Sequence, residues 1–283
     1  MKKLLFALIC LMFVLSSCGG AAFDTSKNIT IIAREDGSGT KDAFMELIRL
    51  KGKADPVGVI MQNGTAAVLT EVEGNTLAIA YESLGYITGD VKKLKVDGVE
   101  ASIANIKSGE YKISRPLSVV YRESTLGDPA VNAFFEFMKS DDAQKIIDKE
   151  GYVSIADGIP YTIDGSLSGV VNVSGSTSLK PLMDEFEAAF KKLQPNIIVN
   201  VAGGGSGQGY KDAEGGVSEF GMISAEFDGQ NAPSCTYYTV AKDGIAVIVH
   251  KDNPLDNITM EQLKNIYDEE SEKAPVWSDF ITK

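Results

Sequence analysis

The chain has 283 residues, of which 44% are hydrophobic and 23% charged, so it is long enough for one large domain or two smaller lobes with their own cores. Its formal net charge of -12 argues against nucleic acid as a partner. The same charge repels anions at long range, so capture of an anion must depend on local hydrogen-bond donors.

The N-terminal residues have the pattern of a bacterial lipoprotein signal. Two lysines precede an apolar run, Leu4 to Leu15, that is too short to span a bilayer. Leu15-Ser16-Ser17-Cys18 then matches a lipobox, which predicts a signal peptide over residues 1–17 and lipidation of the Cys18 thiol. Residues 18–28 follow as the lipidated cysteine and a flexible tether. The alternative interpretation is a buried hydrophobic helix in which Cys18 is incidental.

The stretch from Ile31 to Thr40 predicts a strand, a Gly/Ser turn that carries Arg34, and the start of a helix. The helix is expected from Lys41 to about Leu50, with its apolar positions on one face. Backbone N–H groups, two hydroxyls and the positive end of the helix dipole then point at one spot, and Arg34 adds a full charge. These are the features of an oxyanion-binding site.

The rest of the first half alternates strands and helices. The expected elements are strands at residues 57–61, 77–81 and 117–121, a turn at 62–65 that begins a helix, and a helix or helix pair at 129–150. Alternation of this kind predicts an α/β fold whose sheet is covered by helices on both faces. Residues 152–169 have the composition of a linker.

Two further turns repeat the design of the Arg34 turn. A strand at 170–173 leads into Ser174-Gly175-Ser176-Thr177-Ser178 and a helix from about Leu179 to Leu193. A strand at 197–201 leads into a Gly-rich stretch at 202–209 and a short helical run. Three such units in two separated parts of the chain predict that donors from two lobes converge on one anion.

The C-terminal part contains two more strands, expected at residues 219–224 and 244–249. Thr259-Met260-Glu261-Gln262 follows with the spacing of a capping box. This spacing predicts the start of a helix.

Four of these motifs together resemble the substrate-binding lipoprotein of the bacterial high-affinity phosphate ABC transporter. They are Arg34-Glu-Asp-Gly-Ser-Gly-Thr40, Ser174-Gly-Ser-Thr-Ser178, Gly203-Gly-Gly-Ser-Gly207 and Ala241-Lys-Asp-Gly-Ile-Ala-Val-Ile-Val249. The resemblance covers nearly all of the mature chain. It implies an α/β, two-lobe, periplasmic-binding-protein-like fold (type II, or Venus-flytrap) with a hinge and an interlobe cleft. One lobe, residues 29–92 plus 251–283, would carry the Arg34 turn, and residues 93–250 would form the other.

The order of the motifs differs from the order that the resemblance implies. In that family the SGSTS and GGGSG segments precede REDGSGT, whereas here REDGSGT comes first. We therefore expect a circularly permuted chain in which residues 152–169 join the usual C- and N-termini. The competing interpretation is a rearranged or truncated gene whose product needs a second copy to complete its fold.

The resemblance also implies a phosphate site shared by both lobes. The residues that it assigns are Thr177, Ser178 and Ser206 in one lobe and Arg34, Ser38, Gly39 and Thr40 in the other. Hydroxyls and N–H groups would donate to phosphate oxygens, and Arg34 would supply the cation. Asp36 is expected to hold Arg34 by an ion pair and is also a candidate ligand contact. Taken singly, each Ser or Thr has the alternative interpretation of a helix cap.

One candidate contact, Ser224, departs from the family pattern. Many members place a carboxylate there, after the Phe-Gly strand, where it accepts the proton of hydrogen phosphate and so rejects sulfate. A serine hydroxyl can accept such a bond without requiring the proton. We therefore expect either weaker discrimination against fully deprotonated oxyanions or a substitute acceptor, such as Asp36 or Glu226.

The sequence favours a binding protein over an enzyme. The Gly-rich turn lacks the spacing of dinucleotide-binding and nucleophile-elbow motifs, and a single His leaves little for hydrolysis. No cofactor and no metal are expected. We interpret the chain as an extracytoplasmic, lipid-anchored monomer that captures inorganic phosphate and hands it to the permease subunits of an ABC transporter. The alternatives are a binder of another oxyanion, and a phosphate-sensing or adhesion protein on the same fold.

Overall fold

The structure, a computed structural model, describes residues 23–87, 89–270 and 275–281. The predicted signal peptide and the lipidation site Cys18 lie outside these described residues. Within the described ranges, none of the helices has both the length and the apolar character that a membrane-spanning segment needs.

Most of the helices begin where Ser, Thr, Asp or Gly precedes a run with apolar residues on one face, whereas the helix that follows Leu179 has no side-chain cap. In chain order they are α1 (Gly39–Leu47), α2 (Thr65–Gly74), α3 (Ile103–Ser108), α4 (Pro129–Met138), α5 (Asp141–Lys149), α6 (Lys180–Leu193), α7 (Ser206–Gly215) and α8 (Met260–Tyr267), with short 3-10 helices at Leu84–Tyr86, Glu123–Gly127 and Trp277–Asp279. The predicted capping box is confirmed, because Thr259 and Gln262 exchange hydrogen bonds at the start of α8.

The strands are short except for one. They are β1 (Thr30–Arg34), β2 (Ile60–Gln62), β3 (Ala78–Ser83), β4 (Val91–Lys93), β5 (Lys95–Val96), β6 (Ser114–Tyr121), β7 (Gly169–Gly175), β8 (Ile197–Gly203), β9 (Phe220–Ile223), β10 (Thr236–His250) and β11 (Asn257–Ile258). The predicted strand–turn–helix units are present with small shifts in their ends, and α1 ends at Leu47 instead of near Leu50. The predicted linker, residues 152–169, contains no strand or helix until β7 begins.

Most strands form one ladder in the order β2-β1-β3-β10-β6-β9-β7-β8, with β4 also paired to β10, while β5 and β11 form a small separate sheet. The pairs β1–β2, β1–β3, β7–β8 and β7–β9 are parallel, as α/β units require. The long strand β10 is antiparallel to its neighbours and joins the two halves of the ladder. Its residues 236–244 pair with β6, and residues 245–249 pair with β3.

Two main hydrophobic cores lie on either side of this junction. The first contains Phe44, Tyr81 and Trp277, and the second contains Phe134 and Phe186. We call the described residues within 29–113 and 245–281, which surround the first core, the first lobe, and residues 117–241 the second lobe. The structure is therefore α/β with two lobes, as the sequence predicted.

The chain passes between the lobes at two adjacent places, residues 114–116 on β6 and 242–244 on β10. These residues pair with each other, and Arg115 lies opposite Asp243 in the register. We call these two paired segments the crossing strands. Because they are hydrogen-bonded neighbours, a hinge motion of the lobes must bend both together.

This division differs from the lobe boundaries expected from the sequence, which were 92/93 and 250/251. Leu94, Ile106 and Ile113 pack in the first core, and so do residues 245–249. The physical reason is that the apolar run 244–249 is part of one 15-residue strand that belongs to both lobes. A run buried on both faces shows no alternation that would mark where the strand changes lobe.

Candidate functional site

Arg34 lies at the end of β1, and its side chain is almost completely buried at the junction of the lobes. Two carboxylates hold it. Nε and Nη2 donate to the two oxygens of Glu35 at 2.8 and 2.9 Å, and Nη1 donates to Glu82 Oε1 at 2.8 Å. A guanidinium has five N–H donors, so two remain for other partners.

Hydroxyl groups take up these remaining donors. Nη2 of Arg34 donates to Thr177 Oγ1 at 2.9 Å, and Nη1 lies 3.2 Å from Thr65 Oγ1 and 3.4 Å from Thr40 Oγ1. Thr65 and Thr40 belong to the first lobe and Thr177 to the second. The positive face of the guanidinium is therefore directed at a group of hydroxyls that both lobes supply.

The hydroxyls also contact each other across the lobes. Thr40 Oγ1 lies 2.9 Å from Ser178 Oγ, and Thr65 Oγ1 lies 3.3 Å from Thr177 Oγ1. The backbone N–H of Gly207 donates to the carbonyl of Gly37 at 3.0 Å. The lobes are thus closed on each other at this point, with a set of short, rotatable donors at the interface.

Ser206 and Ser224 extend this group on the second lobe. Their hydroxyl oxygens are 3.4 Å apart, and the N–H of Ser224 donates to Ser206 Oγ at 3.1 Å. Gly39, the first residue of α1, lies against them, and a Cβ at Gly39 would clash with the Ser206 hydroxyl. Only glycine allows this close approach between the α1 turn and the second lobe.

Two of the helices whose N-termini lie at the site, α2 and α7, have a glycine as the N-cap residue. Gly64 before α2 and Gly205 before α7 both have a positive φ, +84° and +86°, and neither provides a side-chain cap. The first turns of these helices therefore keep backbone donors that no cap side chain has taken. Such donors, with the helix dipole, favour an anion.

The charges of the site are strongly coupled. Burial alone would lower the pKa of Arg34, but Glu35 and Glu82 raise it above its ordinary value. Burial raises the pKa of Glu82 in spite of the opposing charge of Arg34. For the half-buried Glu35, burial raises the pKa, but the hydrogen bonds and the charge of Arg34 together with the N–H of Gly64 lower it overall. Arg34 is a permanent cation, and of its two carboxylate partners Glu82 is the one whose pKa is raised.

The structure brings most of the sequence-predicted residues together. Arg34, Thr40, Thr177 and Ser178 are linked by direct contacts, and Gly39, Ser206 and Ser224 form the adjoining group. Ser38 is buried next to them, where its side chain caps α1 by accepting from the N–H of Lys41. The alternative interpretation of a helix cap therefore describes what the Ser38 side chain does in this structure.

Asp36 is not where the sequence placed it. Its carboxylate is 94% exposed and accepts from Lys41 Nζ at 2.7 Å, and this contact lowers the pKa of Asp36. The expected ion pair with Arg34 is instead made by Glu35 and Glu82. The reason is local, because the neighbouring Glu35 reaches both Nε and Nη2, while Asp36 turns away to pair with Lys41 on α1.

Sequence reasoning missed Thr65 and Glu82. Thr65 follows a strand and Gly64 and opens a helix, so it belongs to a fourth unit of the same design, and that pattern was available. Glu82 stands in a strand buried along its whole length, and its only signal was an acid among apolar residues. Its partner Arg34 lies 48 residues away in sequence.

A second buried ion pair lies between the crossing strands and contacts the backbone of the site. Arg115 Nη2 donates to Asp243 Oδ2 at 3.0 Å, between the crossing strands, and both side chains are buried. Nη1 of Arg115 donates to the carbonyl oxygen of Ser224 at 2.9 Å. This pair therefore connects the crossing strands to one of the candidate contacts.

A cleft of about 840 Å³ opens between the lobes beside the site. Asp36, Lys41 and Tyr210 line it, and Ser206 forms part of its wall. The cleft therefore reaches the edge of the site at Ser206, and the hydroxyls around Arg34 lie behind this wall. Because both acidic and basic residues line it, the cleft does not present a positively charged surface that would attract anions.

Two α/β lobes that close on each other through a group of buried hydroxyls, beside an open cleft, have the arrangement of a two-lobe solute-binding protein. In agreement, the family model for the PBP superfamily domain matches residues 23–142 and 162–281. Phosphate-binding protein PstS 2 of Streptococcus agalactiae is 35% identical over 276 residues, which cover 94% of this chain and 92% of that protein. The chain belongs to the PBP superfamily and, within it, to the PstS phosphate-binding protein family.

A solved structure agrees with this assignment. The crystal structure of a phosphate ABC transporter phosphate-binding protein from Streptococcus pneumoniae matches with a TM-score of 0.70 and 32% identity, and covers 90% of this chain and 100% of that one. The match to PstS of Bacillus subtilis, 31% identical, covers only 46% of this chain and 43% of that protein. The family thus includes relatives that align along the whole chain and others that align along about half.

Proposed function

We propose that this protein is an extracytoplasmic solute-binding protein that captures inorganic phosphate between its two lobes and delivers it to an ABC permease. One observation carries the proposal. The buried Arg34 directs its two remaining donors at hydroxyls from both lobes, so an oxyanion in their place would complete the lobe contact. The relatives named phosphate-binding proteins support phosphate as that oxyanion.

The proposed contacts are the hydroxyls and N–H groups around Arg34. They come from Thr40 with Gly39 and Ser38, from Thr177 and Ser178, from Ser206 and Ser224, and from Thr65, which the sequence did not predict. A tetrahedral anion presents four oxygens, and donors from opposite lobes satisfy them only when the lobes are closed. A role in binding, with no bond made or broken, fits this set of donors.

The attachment and the partners are part of the same proposal. Cys18 would carry the lipid that anchors the protein to the bacterial membrane, at the cell surface or in the periplasm, through the tether of residues 18–28. The binding unit would act as a monomer and present phosphate to the permease subunits. Phosphate sensing or adhesion on the same fold is the alternative that the sequence left open.

The order of the two halves is a further element of the proposal. We infer a circular permutation relative to the PstS proteins that match along about half of this chain. The alignment with the S. agalactiae protein spans both halves, which supports an inherited order over a rearranged gene. Both main cores lie within residues 29–281, so one chain has the residues for both lobes.

Another oxyanion is the second candidate, and Ser224 is the observation that favours it. Its hydroxyl does not enforce a proton on the ligand, as a carboxylate would. Parallel titrations with phosphate, arsenate and sulfate decide between these ligands. If sulfate bound as tightly as phosphate, the site would be a general oxyanion site, and phosphate would no longer be the proposed ligand.

The central test is calorimetric titration of phosphate into a soluble form that begins at Gly19, compared with Arg34→Lys. Lysine keeps one positive charge but cannot bind Glu35 through two donors and still reach Glu82 and the ligand. We expect at least about a hundredfold weaker binding. Arg122→Lys is the matched control, because Arg122 packs beside Gly216 in the second lobe. Equal affinities for the two variants would contradict the proposed site.

A further inference from the structure

The group around Arg34 contains more negative than positive charge. Glu35 and Glu82 both bind the one guanidinium, and Glu82 is fully buried. Its Oε1 accepts from Arg34, and its Oε2 accepts from the N–H of Ser83 at 3.0 Å. A doubly charged anion added to this group would place further negative charge in a region that water does not reach, which is costly.

The charged groups on the neighbouring elements do not cancel this excess. On β6, Arg115 is already paired with Asp243 of β10. On α1, Lys41 is held by Asp36 and Asp55, on the side of the cleft. Among the described residues, Tyr81 and Tyr152 are further titratable neighbours, and burial raises the pKa of both, so both stay neutral phenols. Thr40 and Thr65 complete the surroundings as uncharged donors.

The two substitute acceptors that the sequence suggested cannot fill the role of the missing carboxylate. Asp36 is exposed and paired with Lys41, and the side chain of Glu226 is also exposed. Position 224 offers only a hydroxyl. Glu82 is the fully buried carboxylate in contact with Arg34, and it is therefore the acid to which the charge of a bound anion is most strongly coupled.

We propose that Glu82 is a specificity-determining residue, whose carboxylate makes the site bind an oxyanion together with one proton. The inference rests on the proposed oxyanion site at Arg34. Near neutral pH part of the phosphate and arsenate is present as the singly charged, doubly protonated anion, which brings the proton with it, whereas sulfate stays doubly charged and must take a proton from solvent. Burial raises the pKa of Glu82, so the carboxylate is itself a place for that proton. Discrimination against sulfate thus arises from charge, without an acid at position 224.

The test is proton uptake by the full-length protein in a non-ionic detergent. Phosphate is titrated by calorimetry at about pH 8.5, well above the second pKa of a phosphate group, in two buffers of different ionisation enthalpy. We expect uptake of about one proton per bound anion in the wild type and almost none in Glu82→Gln, with tighter sulfate binding in that variant. Glu226→Gln, an exposed acid beside the cleft, is the matched control and should behave as wild type.

Two further measurements keep the inference testable if Glu82→Gln does not fold. Glu82→Asp retains the charge and should retain the proton uptake, even where affinity falls. In the wild type, the affinity for sulfate, which does not titrate in this range, should rise about tenfold per unit fall in pH above the pKa of Glu82. Sulfate affinity independent of pH from about 6 to 8.5, or phosphate binding without proton uptake, would overturn the role of Glu82.

These outcomes separate the inference from the function on which it rests. Phosphate binding that depends on Arg34 but takes up no proton removes the role of Glu82 alone. Absence of any phosphate binding by the wild type removes the phosphate site itself. Equal proton uptake by the wild type and a folded Glu82→Gln would assign the proton to the ligand and contradict the inference.

Discussion

At the scale of single residues, the site depends on how the donors of Arg34 are divided. Three go to carboxylates and orient the guanidinium, and two face the hydroxyls of both lobes. A buried cation that is neutralised in this way attracts an anion less by its charge than by the direction of its hydrogen bonds. The surrounding hydroxyls therefore matter as much as the arginine.

Thr65 tests this view, because it was assigned from the structure alone. Thr65→Val keeps the shape of the side chain and removes the hydroxyl that contacts Arg34 and Thr177. We expect about a tenfold to hundredfold loss of phosphate affinity by calorimetry, since a hydrogen bond to a charged group is lost. Thr65→Ser should retain most of the affinity.

Thr70 provides the control on the same helix. Its hydroxyl donates to the carbonyl of Ala66 one turn earlier, and the residue is exposed. Thr70→Val should leave phosphate affinity unchanged. Loss of affinity in both valine variants would show a general effect on α2 and not a role of the Thr65 hydroxyl.

At the scale of secondary structure, the local signals in the sequence were sufficient for the strand–turn–helix units. A strand, glycine in the turn and a helix with one apolar face are properties of consecutive residues, so the turns that carry Arg34, Thr177 and Ser206 were found from the pattern, and the family resemblance then assigned the individual contacts. The ion pairs that Arg34 makes with Glu82 and with Glu35, in place of the expected pair with Asp36, depend on which side chains meet in the folded chain. Contacts between residues distant in sequence leave no periodic pattern, and the point where β10 changes lobe leaves none either.

The crossing strands carry the next prediction. Asp243→Asn removes the charge that balances the buried Arg115, and we expect a loss of about 3–5 kcal/mol in the free energy of unfolding, measured with urea. The double variant Arg115→Met with Asp243→Leu replaces the pair by apolar side chains and should recover most of that stability. It still lacks the donor to the Ser224 carbonyl, so its phosphate affinity should remain below that of the wild type.

The comparison of the two variants separates stability from positioning. If the double variant regains both stability and full phosphate affinity, the pair serves only to fill the space between the crossing strands. If it regains stability alone, Arg115 positions Ser224. A single Asp243→Asn variant as stable as the wild type would contradict the assignment of a buried, charged pair at this place.

At the scale of the whole molecule, capture must work against the overall charge. With a formal charge of -12, the protein does not steer anions by its field, and the cleft beside the site is lined by both signs. Affinity then comes from closure, when hydroxyls and N–H groups of the two lobes surround the ligand in a space without water. Both main cores and both halves of the site belong to the same chain.

The most direct measurement is the stoichiometry of phosphate binding together with the mass of the protein in solution. Titration calorimetry gives the number of sites, and light scattering of the same sample gives the oligomeric state with and without phosphate. We expect one phosphate per chain, bound by a monomer. One phosphate per two chains, or binding by a dimer alone, would contradict a single chain that closes its own two lobes around the anion.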